Sequence, residues 1–226
     1  EEEAEALKEY LEEQHPEDIA EYLETLDDRE EQAALIQVLE PEDAAEVLFA
    51  IDDKELMVSI LLELPRNMAS AIANEIPSDE AADMLEDLDD NERSRILSLF
   101  EDEAVDDITD LLTYESDTAG GLMTTEFVVV PVFVNAEKAI EIIRMYAPDA
   151  ETIYYVYVID GLNHLVGILS LRELIIAGPE TAVGDIMRQN VTSVNVRDDQ
   201  EEVADIMSKY SLLALPVVDD EDHILG

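Results

Sequence analysis

The chain has no cysteine and no tryptophan, and only twelve basic residues among 226. Without cysteine there is neither a disulfide framework nor a thiolate metal site, which suits a reducing compartment. The twelve basic residues stand against 58 acidic ones, for a formal net charge of −46. A surface of that sign repels nucleic acid and anionic lipid headgroups, which excludes both as direct partners. Apolar runs are short, as at 127–134 and 153–159, whereas a membrane-spanning helix needs about 20 apolar residues. No segment of this sequence is therefore expected to insert into a bilayer. A signal-like opening is also missing, and a chain that opens on Glu1 is expected to have been trimmed there.

What is present is an apolar content of 47%, enough for a packed core rather than a disordered acidic tail. The acid is unevenly spread. Residues 1–110 carry 38 acidic and 6 basic side chains, net −32, and the remainder is net −14. Apolar residues from 16 to about 112 recur at three- and four-residue spacing, the period of a helix. P-E-D-I-A-E-Y-L at 16–23 returns as P-E-D-A-A-E-V-L at 41–48 and as S-D-E-A-A-D-M-L at 78–85. Proline or serine followed by acids marks a helix start. Starts fall near 16, 28, 41, 53, 65, 78, 90 and 101, about twelve residues apart. Helices that short do not stand alone in water, so they are expected to stack in a small solenoid. The alanine pairs Ala44–Ala45 and Ala81–Ala82 read as close helix contacts. No catalytic constellation is visible in this half, where His15 is the only histidine, and the chain is not expected to be an enzyme.

The second half contains one unit twice. Met123 answers to Met187, Asp160 to Asp219, His164 to His223 and Gly167 to Gly226, and the two D-x-x-x-H-h-h-G strings (h apolar) have identical spacing. A repeat of this kind has to be found before the fold is assigned. In each copy a strand (127–134; 191–196) precedes a helix (136–146; 200–210), then a second strand (153–159; 213–218), an acidic turn and a third strand opening at His-h-h-Gly. The first copy continues into a strand at 168–170 and a helix from Leu171. The second is expected to be truncated at Gly226.

This β-α-β-β-α unit resembles the cystathionine-β-synthase (CBS) repeat, carried by L-P-V-V-D…H-I-L-G and Y-V-I-D-G…L-V-G-I-L-S. Taken with the acidic helical array, the chain resembles the soluble N-terminal region of the MgtE family of magnesium channels and transporters. E-S-D-T-A-G-G-L-M-T-T-E-F at 115–127, A-P-D-A-E-T-I-Y-Y-V-Y-V at 147–158 and L-S-L-R-E-L at 169–174 carry that resemblance. It implies an α+β multi-domain chain: an all-α, solenoid-like N domain (1–114), a hinge (115–121), a first CBS repeat (122–184) and an incomplete second one (185–226). It also implies a regulatory body at the cytoplasmic face of the cell membrane, homodimeric through its CBS repeats and attached to a transmembrane pore that lies outside this sequence. Magnesium would bind between the N domain, the CBS pair and a connecting helix that leads to the pore, and hold a closed arrangement.

Magnesium keeps much of its water, so one or two carboxylates suffice for a weak site suited to sensing. Calcium or manganese would partly replace it, because oxygen ligands discriminate poorly among these ions. Carried over position by position, the family's metal ligands fall on Asp79 and Asp83, four apart on one helix face. Others fall on the backbone of Gly121, Glu201 and the backbone of Ser208, and Glu46 is the equivalent acid of the preceding helical repeat. A further acid position is occupied by Ser211, which departs from the pattern. Some family members bind ATP at the CBS pair, and the matching positions are Tyr155, Arg172, Glu173 (in place of Asp) and Leu212 (in place of an aromatic). Two other functions remain open on the sequence: an adenine-nucleotide sensor using the same cleft, and a helical scaffold for protein partners.

Overall fold

The computed structural model describes residues 7–226 apart from 9, 12, 87 and 147–153. The chain divides into two compact units, Glu1–Thr109 and Asp110–Gly226.

Acid-led starts dictate the helical unit. Among the described residues its helices are α1 (Pro16–Glu24), α2 (Arg29–Ile36), α3 (Pro41–Phe49), α4 (Lys54–Glu63), α5 (Arg66–Ala73), α6 (Ser78–Glu86), α7 (Asp90–Leu97) and α8 (Asp102–Leu111). Each start lies within one residue of the position expected from the repeat. Proline occupies the first turn of α1 and α3, where the missing N–H costs nothing. The carboxylates of Asp28, Asp53 and Asp89 accept from orphan amides at the starts of α2, α4 and α7, the ordinary role of an N-cap acid. Helices pack two apart in sequence, α1 on α3, α2 on α4 and α3 on α5, which is how a solenoid shares one core among short elements. Leu23, Ile36, Leu48, Ile60, Ile72 and Leu85 are fully buried in it, and all four paired alanines are buried as well.

Several of the few basic residues of this unit serve backbone carbonyls. Arg93 donates to Leu85, Glu86 and Leu88 at the end of α6, Arg66 donates to Ser98 and Lys54 to Asp83. Cations at helix C-termini are favoured by the unpaired carbonyls and the dipole. These bonds occupy cations in a stretch where 6 basic residues already face 38 acids.

The C-terminal unit follows the repeat. Its first copy comprises β1 (Val129–Pro131), α9 (Ala136–Tyr146), β2 (Tyr155–Ile159), β3 (Leu165–Ser170) and α10 (Leu171–Ile176). The sheet order is β1-β2-β3, with β1 parallel and β3 antiparallel to β2. After the short helix α11 (Val183–Ile186), the second copy comprises β4 (Val194–Asn195), α12 (Gln200–Tyr210) and β5 (Val217–Val218), with β4 parallel to β5. Both central helices fall on the expected residues. The strands are shorter than the apolar runs that announced them, because those runs continue past the last paired residue. Ile153, expected at the start of the second strand, and most of 147–158 lie outside the described residues.

The repeats exchange their lead-in segments. Arg188 and Ile168 bond each other's backbone in both directions, and Met187 packs so closely on Gly167 that a Cβ there would lie 2.4 Å from its sulfur. Symmetrically, the amides of Ala119 and Gly120 donate to Asp198 and Val196, and Met123 packs on Gly226. The start of each copy is thus tied to the other, so the sequence period and the packing unit differ.

Candidate metal and nucleotide sites

In the helical unit, Asp79 and Asp83 lie on α6, one turn apart. One carboxylate oxygen of Asp79, Oδ1, is buried and has no hydrogen-bond partner. Such an atom forfeits its hydration unless a cation or water meets it. Partial desolvation pushes the Asp83 carboxyl above the usual carboxylate range. The Lys54 ammonium opposes that rise, and the charges of Glu86 and Asp79 add to it. Two carboxylates with that combination suit a hard, partly hydrated cation. Lys54 and Glu86, which surround the pair, were not singled out by sequence reasoning, because they lie on α4 and at the far end of α6. Glu46 is exposed on α3, and nothing in its surroundings distinguishes it from other surface acids. Among the described residues no group of three or more acids or histidines is arranged to hold a metal, so any magnesium here would keep most of its water.

In the C-terminal unit, Glu201 is exposed in the first turn of α12, its amide held by the Asp199 carboxylate. The Ser208 carbonyl already accepts from Ser211. Ser211 itself caps α12 in the left-handed conformation, with φ 52°. Gly121 donates to Thr118 in a tight turn. The hinge expected at 115–121 contains Gly120 and Gly121. Neither has a positive φ; both are required by close packing instead. A Cβ on Gly120 would meet the Tyr114 ring and Val196, and one on Gly121 would lie 2.4 Å from the Glu115 carbonyl oxygen.

Three of the nucleotide candidates, Tyr155, Arg172 and Glu173, lie around Ser170 at one end of the β2–β3 pair, while Leu212 belongs to the second copy. Tyr155 opens β2 opposite Ser170, and Ser170 caps α10 in a capping box with Glu173. Glu173 Oε2 accepts from the Ser170 amide and hydroxyl at 2.8 and 2.9 Å, and Oε1 accepts from Arg188 at 2.9 Å. The Ser170 bonds, then Arg188, hold this carboxyl below the usual range. Arg172 is exposed in the same turn. Leu212 follows α12, its amide bonded to Met207. Arg188 escaped the sequence reading because it belongs to the lead-in of the other repeat. A separate apolar cleft of about 320 Å³ is lined by Met123, Phe127, Tyr157, Met207, Leu215 and Val217, among others.

An acidic helical superhelix followed by a tandem CBS pair defines a regulatory type of chain, and no helix among the described residues is long and apolar enough to cross a membrane. Residues 14–117 match the MgtE intracellular N domain, and 119–180 and 183–226 match the CBS domain. The chain belongs to the MgtE family. It is 48% identical over 124 residues to the magnesium transporter MgtE of Enterococcus faecalis and 46% identical over 132 residues to that of Thermus thermophilus. These matches cover 55% and 58% of this chain, but only 27% and 29% of those relatives' length. A crystal structure of the cytosolic domain of the Mg2+ channel MgtE in complex with ATP superposes with a TM-score of 0.91 at 39% identity, covering 98% of this chain and 90% of that one. A crystal structure of the soluble part of a magnesium transporter gives 0.88 at 37% identity, covering 100% and 88%. The matched family is one of transporters, not enzymes.

Proposed function

We propose that this chain is the Mg2+-sensing regulatory region of a magnesium transporter or channel, working at the cytoplasmic face of the membrane on a pore carried elsewhere in the protein. Within a family named for magnesium transport, the observation that carries the reading is the Asp79–Asp83 pair: one buried oxygen without a partner beside one carboxylate that desolvation makes costly to ionise. Bound Mg2+ supplies charge neutralisation and ordered water. In the C-terminal unit the proposed ligands are Glu201 and the backbone carbonyls of Ser208 and Gly121, and scarcity of Mg2+ leaves the carboxylates of each unit unscreened. Several weak sites acting on one two-state element shift its population steeply. A second copy of the chain is the proposed partner, which the exposed Met145, Tyr146, Ile175 and Ile176 on the adjoining helices α9 and α10 suit. The test is Mg2+ flux through the full-length protein in vesicles. Raising Mg2+ on the regulatory side should suppress flux, and Asp79→Asn with Asp83→Asn should relieve that suppression. Flux indifferent to regulatory-side Mg2+ overturns the reading.

A second reading, ATP binding at Tyr155, Arg172, Glu173 and Leu212, is favoured by the similarity to a relative crystallised with ATP. If Glu173 accepts ribose hydroxyls, Arg188 competes for its Oε1. Arg188→Ala should then tighten ATP binding by about three- to tenfold, roughly one charge-assisted hydrogen bond, and Glu173→Ala should abolish it. Calorimetric titration decides: no heat from native chain and variant alike rejects the nucleotide reading.

A further inference from the structure

The D-x-x-x-H strings have no part in either reading, yet they meet at the centre of the C-terminal unit. Each is a tight loop whose aspartate holds its histidine. Asp160 Oδ1 accepts from the amides of Leu162 and His164, and Asp219 Oδ1 from those of Glu221 and His223. The second oxygen of each aspartate bonds the Nδ1 of its own histidine, at 2.8 Å for His164 and 2.9 Å for His223. Asn163 and Asp222 take the left-handed conformation at the matching place in the two loops, which Asn and Asp tolerate best among non-glycine residues. The loop tips then join. The Leu165 amide donates to Asp222 and the Ile224 amide to Asn163, and the two imidazoles stack with centroids 4.7 Å apart at 18°.

Near-parallel rings point their in-plane lone pairs side by side, not toward one point, so this is not a transition-metal site. What the arrangement does collect is proton affinity. Asp160 and Asp219 are bonded to the ring nitrogens, Glu221 adds charge beside His223, and Asp220 is committed to Arg197 and Asn195. A first proton enters a ring already bonded to a carboxylate. A proton taken up by His223 meets carboxylate charge from both loops.

We propose that the His164–His223 stack is a proton-responsive clasp joining the two CBS repeats, tightened when His223 takes up its proton. The Asp219 bond first, then the charges of Asp219, Glu221 and Asp160, raise His223 above its ordinary 6.5 against a desolvation that lowers it. The clasp's stabilisation is therefore complete below about 6.5 and fades as pH rises through the raised folded value. The inference is independent of magnesium and nucleotide binding.

With only three histidines in the chain, the ring C–H resonances of His164 and His223 are assignable by substitution. His164→Phe keeps a ring in the stack, removes its charge and frees Asp160. His223 should then bind its proton about three- to tenfold more tightly, a rise of half to one pH unit. In the native chain, exchange protection of the Leu165 and Ile224 amides, corrected for intrinsic rates, should rise from pH 8 to pH 6, and the doubly substituted chain should lose that rise. A His223 midpoint unmoved by His164→Phe would overturn the link between the two loops. Protection that is flat with pH in the native chain would overturn the clasp even if the variants fail to fold.

Discussion

Asp83→Asn should raise the thermal stability of the metal-free chain and at the same time remove most of the stabilisation that Mg2+ confers. The sign follows from the environment. Burial, Asp79 and Glu86 push the Asp83 carboxyl up, with Lys54 only partly offsetting them. A carboxylate whose folded value lies above its unfolded one favours the fold when protonated. That contribution is present below the ordinary 3.8 and is lost as pH rises through the raised value, so the ionised group at neutral pH strains the fold. Asparagine removes the charge and keeps the shape. The gain should be small, about 2–4 °C in the unfolding midpoint of the helical unit, because Asp83 is exposed and solvent screens its charge. The loss on the other side should be larger. With Asp79→Asn added, the helical unit should bind Mg2+ at least about tenfold more weakly, or 1.4 kcal/mol. Differential scanning calorimetry with and without Mg2+ measures both effects. An apo chain destabilised by Asp83→Asn, or an undiminished Mg2+ shift in the double variant, would show that these carboxylates are surface acids and nothing more.

Much of the fold was legible because each level of the sequence agrees with the next. Twelve-residue spacing, a proline or aspartate at each start and acids in the first turn of all but Arg66–Ala73 leave little choice but short stacked helices, and all eight starts were found. The central helices of the two repeats were legible for the same reason: their apolar spacing changes from two to about four at Ala136 and Gln200. Strand ends were not, since β1 and β4 pair over only three and two residues while the apolar runs continue. The exchange of lead-in segments was hidden because a repeat shows where a unit recurs, not which copy it packs against. Arg188 is the clearest casualty, invisible as a partner of Glu173 fifteen residues away on the other repeat. Asp79 and Asp83 were legible as a pair through their spacing on one helix face. Which oxygen is buried depends on the neighbouring helices and no local pattern carries it. Ser211 was noted as a departure from an acidic position. The structure adds that it sits in the left-handed region, where a side chain is strained and the backbone ends a helix.

Gly121→Ala should be the most damaging of the four close-packed glycine substitutions in the C-terminal unit, and the reason is what each added Cβ would strike. At Gly167 it meets the Met187 sulfur, the flexible end of that side chain, and at Gly226 it meets Met123 along its length, from Cβ to sulfur at 2.8 Å. At Gly120 it meets Val196 and the Tyr114 ring, side chains held in a packed corner. At Gly121 it lies 2.4 Å from the Glu115 carbonyl oxygen and 2.7 Å from the Ser116 Cα. Those atoms are backbone and belong to a turn that is itself closed by Thr118, whose hydroxyl and amide both donate to Glu115. Relief requires opening the turn, and with it the bonds that carry Ala119 and Gly120 onto the second repeat. Overpacking of that kind costs about 1–3 kcal/mol and rises when the backbone must move, so Gly121→Ala should cost about 3 kcal/mol. Gly167→Ala should stay near 1. Hydrogen exchange on peptides from 155–170 and 194–218 reports the C-terminal unit separately from the helical one. If freedom of the backbone were the purpose of Gly121, alanine, at an ordinary negative φ, would stabilise the native chain slightly by restricting its unfolded state. A C-terminal unit as well protected in Gly121→Ala as in Gly167→Ala would therefore restore the hinge and reject the packing account.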